Sequence, residues 1–596
     1  MDKVLMSGNE AVARGAWEAG VEVATAYPGT PSTEILQNIA LYEDVYAEWS
    51  SNEKVALDTA IGAAYAGKRA LSAMKHVGLN VASDALFYSS YTGVNAGLVI
   101  VTADDPGLHS SQNEQDNRQY ARFARVPMLE PSDSQEAKTL VKLGLELSER
   151  YDTPVLLRMT TRTSHSKTAV TLAERQALEK RPYTKNVTKY VVLPAHARKL
   201  HAVVEERTLQ LRRLAEEIEI NRVEMGDRSL GIISGGVAYE YAREVFPKAS
   251  FLKLGMAWPL PEKLIREFAA SVDRLIVVEE LDPFIEEWVR GLGIEVEGKS
   301  IFPMVDELTP DRVREAAIKA GLLDAGETRR EGQGSSVSSL PLRPPVLCAG
   351  CGHRDVYWTL SKLKVTVNSD IGCYSLGTLP PLNATDTIGS MGSSIGVAMG
   401  MRLAGLEYKN VATIGDSTFF HSGLAALASA VYNRTPVTVI VLDNRTTGMT
   451  GHQGHPGSGQ TLKGQQTPLI RVAEVARAMG VGYVAEVDAR DLKGLEKAIR
   501  QAIETQAPAV VVVRTICLFE SQHHREPYTV IAEDCNGCTL CFRIGCPAIA
   551  KSEELDEKTG RPKAWIDPAM CVGCGLCFDV CARQAIEAGA EKVTVN

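Results

Sequence analysis

The chain has 596 residues, of which 45% are hydrophobic and 23% are charged. This length exceeds what one hydrophobic core supports, so we expect roughly four domains, and the composition is that of a soluble globular protein rather than a disordered one. The formal net charge is -9, from 64 basic and 73 acidic residues, and no long run of Lys or Arg occurs. A nucleic-acid or membrane-surface partner is therefore not expected.

The start of the chain and its apolar runs indicate where the protein resides. Residues 1–8 lack the apolar segment and the cleavage site of a secretory signal. The longest apolar runs, such as 437–442 and 509–513, have the length of a strand and are too short to span a membrane. The sequence therefore predicts a cytoplasmic protein.

Residues 1–190 alternate short apolar strands with helical stretches. This alternation predicts a doubly wound parallel sheet whose ligands lie at the carboxyl ends of the strands. Strands are expected at 21–27 and 96–102, and a helix is expected to begin at Ser32, with Glu34 close behind. Between the first strand and this helix lies the turn Pro28-Gly29-Thr30-Pro31. By itself, the turn is explained as well by an ordinary strand-turn-helix junction.

The middle of the chain carries no catalytic motif. Residues 191–227 are charged and predict a solvated connecting helix, and residues 228–330 predict a smaller α/β domain with strands at 229–234 and 274–278. We expect a structural or interface role for this domain. A stretch rich in Gly and Ser, followed by prolines, predicts a linker at 331–345.

Residues 346–524 predict a second doubly wound α/β domain, with strands at 410–414, 437–442 and 509–514. Gly415-Asp416-Ser417 and Asp443-Asn444 directly follow two of these strands, so both turns should emerge at one edge of the sheet. Carboxylate and amide oxygens suit Mg2+, which also binds diphosphate oxygens, and Gly415 with the following helix suits phosphate. Either turn alone would be ordinary, whereas the pair predicts a site for Mg2+ and a diphosphate, and it looks like a thiamine diphosphate site.

Eight cysteines form two runs in residues 525–596, Cys535-x2-Cys538-x2-Cys541-x4-Cys546 and Cys571-x2-Cys574-x2-Cys577-x3-Cys581. This is the pattern of a bacterial ferredoxin with two 4Fe-4S clusters. In a chain that is not exported, such cysteines are expected to be ligands rather than disulfides. The other four are Cys348, Cys351, Cys373 and Cys517. They could hold a third cluster, or be buried small hydrophobes.

Four motifs occur in a characteristic order along the chain: Tyr27-Pro28-Gly29-Thr30-Pro31-Ser32, Cys348-Ala349-Gly350-Cys351-Gly352-His353, Gly415-Asp416-Ser417, and the ferredoxin-like tail. In this the chain resembles, over essentially its whole length, the α subunit of the indolepyruvate:ferredoxin oxidoreductases. The resemblance implies that residues 1–190 bind the pyrimidine half of thiamine diphosphate and 346–524 its diphosphate with Mg2+. It also implies a transketolase C-terminal-like domain at 228–330 and a two-cluster ferredoxin-like domain at 525–596.

The resemblance also implies roles for individual residues. Glu53 would contact the aminopyrimidine ring and stabilise its imino tautomer, although by pattern alone it is a solvated residue that opens a helix. Thr30 and Arg118 would lie beside the carbonyl and carboxylate of a 2-oxoacid, since arginine binds carboxylates in a bidentate manner. Arg118 could equally form a surface ion pair. The Mg2+ ligands would be Asp416, Asn444 and the Thr446 carbonyl, with Gly415, Ser417 and His353 beside the diphosphate.

For the cysteines, the resemblance implies a proximal cluster held by Cys348, Cys351, Cys373 and Cys517. The usual ferredoxin pairing would join Cys535, Cys538 and Cys541 with Cys581, and Cys571, Cys574 and Cys577 with Cys546. His452 and His455 follow the second cofactor turn, where proton transfer and simple exposure are equal alternatives.

The chain departs from the family pattern in several places. Four residues rather than three separate Cys541 from Cys546, Ala582 replaces a common proline, and Ser417 replaces a common glycine. Met449 stands where pyruvate-using relatives carry asparagine, and its flexible apolar side chain would suit a bulky aryl substrate.

The implied activity is the oxidative decarboxylation of indolepyruvate and other aryl 2-oxoacids with coenzyme A, giving an aryl-acetyl-CoA and CO2 and reducing ferredoxin. This would serve anaerobic catabolism of aromatic amino acids, with a smaller β subunit in an α2β2 assembly. Three alternatives stay open: a pyruvate or branched-chain 2-oxoacid oxidoreductase, a non-redox thiamine decarboxylase or carboligase, and an electron-transfer subunit with a vestigial cofactor fold.

Overall fold

A computed structural model describes residues 3–179, 181–324, 345–406, 409–521 and 525–588. These residues divide into two compact units, one ending at residue 324 and one beginning at residue 345. The predicted linker at 331–345 lies outside the described residues except for its last position. Within the described ranges, none of the helices has both the length and the apolar character needed to cross a membrane.

The first unit is built from strands and helices in alternation. Its strands are β1 (Lys3–Ser7), β2 (Val23–Ala26), β3 (Tyr46–Trp49), β4 (Ala70–Lys75), β5 (Leu98–Asp104), β6 (Met128–Leu129), β7 (Val155–Thr160), β8 (Lys167–Thr171), β9 (Asn221–Glu224), β10 (Asp227–Gly235), β11 (Ala249–Leu254), β12 (Met256–Trp258) and β13 (Leu275–Val278). Its helices are α1 (Gly8–Glu18), α2 (Thr33–Ile39), α3 (Glu53–Tyr65), α4 (His76–Thr92), α5 (Arg118–Ala124), α6 (Ser134–Tyr151), α7 (Thr161–His165), α8 (Val187–Tyr190), α9 (Pro194–Glu217), α10 (Gly236–Val245), α11 (Glu262–Ala269), α12 (Phe284–Gly291) and α13 (Pro310–Lys319).

The main sheet of this unit has seven strands in the order β12-β6-β7-β5-β4-β2-β3. All neighbours are parallel except β12, which runs antiparallel to β6. Every residue of β4, β5 and β7 is buried, as expected for parallel strands covered on both faces. The predicted parallel α/β fold is confirmed, and the carboxyl ends of β2, β4 and β5 lie side by side.

The helix predicted to follow the Pro/Gly turn is present, and it begins at Thr33. Ser32 does not cap it. Its hydroxyl instead donates back to the Gly29 carbonyl at 2.9 Å, while the buried Asn9 amide donates to the Pro31 carbonyl at 2.7 Å. Ser32 therefore closes the turn that contains Thr30 rather than stabilising the helix start.

The connecting helix predicted over 191–227 is too long. Helix α9 ends at Glu217, and residues 221–224 form β9, which pairs antiparallel with β11 in a four-stranded sheet of order β13-β10-β11-β9. The charges of Arg222 and Glu224 resembled a helical surface in the sequence. In the strand they lie two residues apart on one face, where Arg222 Nε donates to Glu224 Oε1 at 2.8 Å.

The smaller α/β region predicted at 228–330 is not an independent compact unit. Its chain leaves the four-stranded sheet after β11, and β12 then extends the edge of the main sheet beside β6. The buried Lys253 ammonium, on β11, pairs with Glu136 of α6 and donates to Ser132 Oγ at 2.9 Å. A single apolar core includes residues from both sheets, such as Leu156 and Leu252.

The second unit combines a parallel sheet with a cysteine-rich segment. Its strands are β14 (Thr366–Ser369), β15 (Thr387–Ile388), β16 (Asn410–Gly415), β17 (Thr438–Asp443), β18 (Tyr483–Asp488), β19 (Ala509–Arg514), β20 (Tyr528–Val530), β21 (Ile549–Leu555), β22 (Pro562–Ile566) and β23 (Ile586–Ala588). Its helices are α14 (His353–Leu363), α15 (Ser393–Leu403), α16 (Asp416–Thr418), α17 (Leu424–Tyr432), α18 (Val472–Ala478), α19 (Leu492–Glu504) and α20 (Leu576–Val580), with short 3-10 helices at Cys373–Thr378, Gly448–Thr450 and Leu540–Ile544.

The sheet of the second unit has the order β15-β14-β16-β17-β19-β18, and all of its neighbouring strands are parallel. The strands predicted at 410–414, 437–442 and 509–514 correspond to β16, β17 and β19, so this second parallel domain is confirmed. Two antiparallel ribbons, β20 with β23 and β21 with β22, frame the cysteine-rich segment. A small core around Ile544, Leu576 and Ile586 supports the cysteine loops.

Candidate active site

The two cofactor turns of the second unit meet at one edge of its sheet. Strands β16 and β17 are parallel neighbours with Gly415 opposite Leu442, so the residues that follow them lie together. The Arg445 N–H donates to Asp416 Oδ2 at 2.6 Å, and the Thr447 hydroxyl donates to Ser417 Oγ at 2.8 Å. Each turn is thus bonded directly to the other, as the strand positions in the sequence predict.

The predicted Mg2+ ligands are all buried at this edge. Asp416, Asn444 and Thr446 are 3%, 8% and 4% exposed, respectively. The Thr446 N–H donates to Asn444 Oδ1 at 3.2 Å. His455 lies in the same group, with its Nε2 at 3.1 Å from Asp416 Oδ2. His455 is thus buried against a predicted Mg2+ ligand and is not simply exposed in its loop.

His353 opens helix α14 and is buried, and among the described residues neither of its ring nitrogens finds a hydrogen-bond partner. Burial lowers the pKa of His353 to about 4, although the Asp416 carboxylate acts in the opposite direction. A buried polar ring without partners is costly unless a ligand completes it. Together with Asp416 and Asn444 it forms a set of polar groups that fits a diphosphate and Mg2+.

In the first unit, Glu53 is the first residue of α3 and is 5% exposed, rather than solvated. The preceding Asn52 caps the helix, since its Oδ1 accepts from the Val55 N–H at 2.9 Å. The Glu53 side chain lies against Gly78 in the first turn of α4, where a Cβ would come within 2.7 Å of Glu53 Oε1. A glycine at position 78 therefore makes room for the carboxylate.

Lys75 lies near the Thr30 turn, and sequence reasoning missed it. It ends β4, and a Cβ on Gly29 would lie 3.0 Å from the Lys75 Cβ. Its Nζ donates to the Ser110 carbonyl at 2.6 Å, and the Ser110 hydroxyl donates to the Thr30 carbonyl at 3.4 Å. No carboxylate of the described residues lies within 4 Å of it. Burial lowers the pKa of Lys75 to about 8, while Asp105 opposes this. A lysine at the carboxyl end of a buried strand was the available signal.

Arg118 is placed differently from the prediction. It is 2% exposed, and its Nε donates to both oxygens of Asp116 at 2.9 and 3.0 Å. Its Nη1 donates to Glu279 at 2.6 Å, and its Nη2 donates to the carbonyls of Glu280 and Asp282 at 3.0 and 3.1 Å. Arg118 is thus the centre of a buried ion-pair network, and these surroundings do not support the predicted contact with a substrate carboxylate.

The twelve cysteines are all free thiols, and they fall into three sets of four that each line one cavity, with Cys351 of the third set also bordering the second cavity. The first cavity is lined by Cys535, Cys538, Cys541 and Cys581. The second is lined by Cys546, Cys571, Cys574 and Cys577. The third is lined by Cys348, Cys351, Cys373 and Cys517. The first two sets correspond to the crossed pairing of the two cysteine runs.

The electrostatics of the cavities agree with this grouping. Burial, followed by the cysteines of the same set, raises the pKa of Cys541, Cys577 and Cys373 to about 12 in each case. Backbone N–H groups point at two sulfurs of the first set, from Ala564 to Cys535 at 3.4 Å and from Ala585 to Cys581 at 3.3 Å. Four thiols around a cavity, with N–H groups directed at sulfur, fit a cubane cluster. Among the described residues, no group of three or more His, Cys, Asp or Glu side chains is arranged to hold a single metal ion.

The third cavity also reaches the cofactor turns. Besides its cysteines, it is lined by Asn444, Gly448 and His452. His452 Nδ1 lies 3.7 Å from Cys517 Sγ. Met449, by contrast, is 48% exposed in the described structure. Spacing along the chain does not predict that the scattered cysteines lie beside the second cofactor turn, and only the family resemblance pointed to a proximal set.

Comparison with known proteins agrees with this architecture. Residues 14–217 match the thiamine-diphosphate-binding family of pyruvate flavodoxin/ferredoxin oxidoreductases, residues 370–513 match the C-terminal TPP-binding domain of thiamine pyrophosphate enzymes, and residues 564–587 match a 4Fe-4S binding domain. The fold and these matches define a thiamine-diphosphate-dependent iron-sulfur oxidoreductase that acts on 2-oxoacids. Oxidative decarboxylation linked to ferredoxin is the chemistry of this class, which sets the non-redox alternative aside.

Relatives narrow the family further. The chain is 42% identical over 634 residues to indolepyruvate oxidoreductase subunit IorA of Thermococcus kodakarensis, covering 98% of this chain and 97% of the relative. The subunit IorA of Archaeoglobus fulgidus is 41% identical, with the same coverage. Among solved structures, a 2-oxoglutarate:ferredoxin oxidoreductase from Magnetococcus marinus has a TM-score of 0.45 at 19% identity, covering 54% of this chain and 66% of that chain. This chain belongs to the indolepyruvate oxidoreductase subunit IorA family.

Proposed function

We propose that this chain, with a smaller partner subunit, converts aryl 2-oxoacids such as indolepyruvate and coenzyme A to an aryl-acetyl-CoA and CO2. The two electrons released reduce two molecules of a one-electron ferredoxin, and one proton is liberated. The similarity to indolepyruvate oxidoreductase subunits supports indolepyruvate as the substrate. Because these relatives are named as a subunit, we also propose a second subunit, in an α2β2 assembly.

One observation carries this proposal: the third cysteine cavity is lined both by four cysteines and by Asn444 of the cofactor turns. An enzyme that removes electrons from a carbon centre needs an acceptor next to that centre. We assign Cys348, Cys351, Cys373 and Cys517 as ligands of a proximal 4Fe-4S cluster, and the other two sets as ligands of two further clusters. Bound thiamine diphosphate would accept the electron pair left when CO2 departs, and the clusters would carry electrons one at a time.

The residues of the cofactor turns would hold the diphosphate end. Asp416 and Asn444 offer hard oxygens to Mg2+, as does the carbonyl of Thr446. Ser417, Gly415 and the buried imidazole of His353 would lie beside the diphosphate. A neutral His353 can donate one hydrogen bond without adding a positive charge.

In the first unit, we assign Glu53 to the aminopyrimidine, where a buried carboxyl would hold a proton at the ring nitrogen. Thr30 would lie beside the reacting carbonyl. We propose that Lys75, rather than Arg118, meets the carboxylate of the 2-oxoacid, because Lys75 is a buried cation without an anionic partner within 4 Å among the described residues. A lysine binds a carboxylate as a point charge rather than through a bidentate fork.

The test is anaerobic absorbance in the iron-sulfur band, on protein purified with its partner subunit and thiamine diphosphate. We expect bleaching after addition of indolepyruvate and coenzyme A, and little with pyruvate. Glu53→Gln should abolish this bleaching, while dithionite still reduces the clusters. Stronger bleaching with pyruvate would favour the pyruvate oxidoreductase, and unchanged activity of the Glu53→Gln variant would favour a pure electron-transfer subunit.

A further inference from the structure

Arg354 is a buried cation whose hydrogen bonds all go to neutral groups. It is 3% exposed and follows His353 in α14. Its Nη1 donates to the Ile544 carbonyl at 2.8 Å, and its Nη2 donates to the carbonyls of Cys348, at 3.1 Å, and Leu347. No carboxylate of the described residues lies within 4 Å of its guanidinium. An arginine cannot shed its proton in a protein, so its charge must be balanced by something else.

The titratable groups whose ionisation acts most on Arg354 are cysteines of two different sets. Arg354 lines the second cavity together with Cys546 and Cys574. Its charge also acts on Cys351 and Cys348 of the third cavity. Ile544 directly precedes the Gly545-Cys546 pair, so the three carbonyls that hold the guanidinium belong to the loops of both sets. Arg354 therefore lies between the cysteines of the third cavity and those of the second cavity.

A second arginine at the same cavity, Arg490, differs from Arg354 in having a carboxylate partner. Arg490 also lines the second cavity, and its Nη1 donates to the Cys574 carbonyl at 3.3 Å. Its Nη2 forms an ion pair with Asp355, which is fully buried. Arg490 thus has a buried carboxylate as its ion-pair partner, whereas Arg354 has none among the described residues, and the thiolates of a bound cluster would supply the balancing charge.

We propose that Arg354 is the shared counter-charge of two iron-sulfur clusters, the proximal one and the one held by Cys546, Cys571, Cys574 and Cys577, and that it raises the reduction potential of both. This inference rests on the cluster assignments of the proposed function. One-electron reduction makes a cluster more negative by one charge, and a buried cation stabilises that form. Because the guanidinium lies between the two sets, it acts on both clusters in the same direction.

The test is an anaerobic redox titration of the complete complex, followed by electron paramagnetic resonance, on wild-type protein and Arg354→Gln. We expect lower midpoint potentials for two of the three clusters. The remaining cluster, held by the cysteines of the first cavity (Cys535, Cys538, Cys541 and Cys581), should keep its potential and acts as an internal control. Arg354→Lys, which keeps the charge but loses the fork of hydrogen bonds, should restore most of the wild-type potential.

A matched control is Arg543→Gln. Arg543 is exposed and lies two residues from Cys541, so removing its charge should shift the potentials much less because water screens it. Unchanged potentials in an Arg354→Gln variant with wild-type iron content would overturn the inference. If that variant loads fewer clusters, Arg354→Lys decides: wild-type potentials support a role of the charge, and lowered potentials refute it. Wild-type protein without three clusters would instead contradict the proposed function.

Discussion

The backbone N–H of Cys517 donates to the carbonyl oxygen of Asn444 at 3.2 Å. One hydrogen bond thus joins a cysteine of the third cavity to a predicted Mg2+ ligand. Gly448 adds a second link, since a Cβ there would lie 3.5 Å from Cys373 Sγ and 3.7 Å from Asn444 Nδ2. The third cysteine cavity and the second cofactor turn are built from the same loops, so we expect a substitution in one to affect the other.

The first prediction removes one proximal cysteine. Cys373→Ser should lower the iron content from about twelve to about eight atoms per chain, because one four-iron cluster loses a thiolate. Dithionite should still reduce the remaining two clusters, whereas indolepyruvate with coenzyme A should no longer do so quickly. Iron analysis and anaerobic absorbance measure both effects.

The control for this variant is Cys538→Ser, in the first cysteine cavity. It should also lose about four iron atoms, but substrate should still reduce what remains, because the proximal set is intact. Rapid reduction by substrate in Cys373→Ser would show that this cysteine set is not the first acceptor.

The second prediction concerns the close contact of Glu53 and Gly78. In Gly78→Ala the new methyl group must displace the Glu53 carboxylate, and a misplacement of this size costs roughly tenfold to a hundredfold in kcat/KM. Alanine is otherwise favoured over glycine within a helix, so the folded state should survive. Steady-state kinetics and thiamine diphosphate affinity measure the loss.

Gly62→Ala is the matched control for that variant. Gly62 lies within α3, and a Cβ there meets nothing within 4 Å. The variant should therefore be fully active and slightly more stable. Equal activity of Gly78→Ala and Gly62→Ala would show that the Glu53 carboxylate does not need a glycine at position 78.

The third prediction separates Lys75 from Arg118. Lys75→Met should raise the KM for the 2-oxoacid by roughly tenfold or more, because a charge facing the substrate carboxylate is lost, with little effect on melting temperature. Arg118→Met should instead destabilise the first unit by about 3 to 5 kcal/mol, since it leaves Asp116 and Glu279 buried without their partner. Kinetics and thermal unfolding of the two variants distinguish these outcomes. A stable Arg118→Met with a raised KM would return the carboxylate contact to Arg118.

The fourth prediction uses the buried Glu280, which accepts from the Leu308 N–H at 3.2 Å. Burial raises the pKa of Glu280 to about 7, although Arg158 opposes this. Because the folded pKa exceeds the unfolded one, the folded state binds an extra proton between pH 4.5 and 7. The stability that this proton provides is complete below pH 4.5 and is lost as the pH rises through 7.

Glu280→Gln removes this titration while keeping the shape of the side chain. Relative to this variant, the wild type should lose roughly 3 kcal/mol between pH 5 and pH 8, since folding raises the pKa of Glu280 from 4.5 to about 7. Urea unfolding at both pH values measures the difference. If the two proteins show the same pH dependence, Glu280 is ionised in the folded state throughout.

Features that depend on local sequence pattern could be predicted, whereas features that depend on contacts between residues far apart in the chain could not. Asp416 and Asn444 were predicted to lie together because strand order alone brings their turns to one edge. The surroundings of Arg118 could not be read in this way, because Glu279 lies 161 residues further along the chain. The same holds for the burial of Lys75, which depends on Ser110 and the loop that carries it. Strand β9 was missed because a short charged strand resembles a helix surface.

The packing of Gly350 bears on how electrons travel within the chain. Gly350 has φ +77°, and a Cβ at this position would overlap the side chain of Val572, between two cysteines of the second set. Together with the hydrogen bond from Arg354 to the Ile544 carbonyl, this contact packs the ferredoxin-like segment closely against the loop of Cys348 and Cys351. We therefore expect the segment to stay fixed on this loop, so that the rate of internal electron transfer does not depend on solvent viscosity. Only electron transfer to a separate, diffusing protein should depend on it.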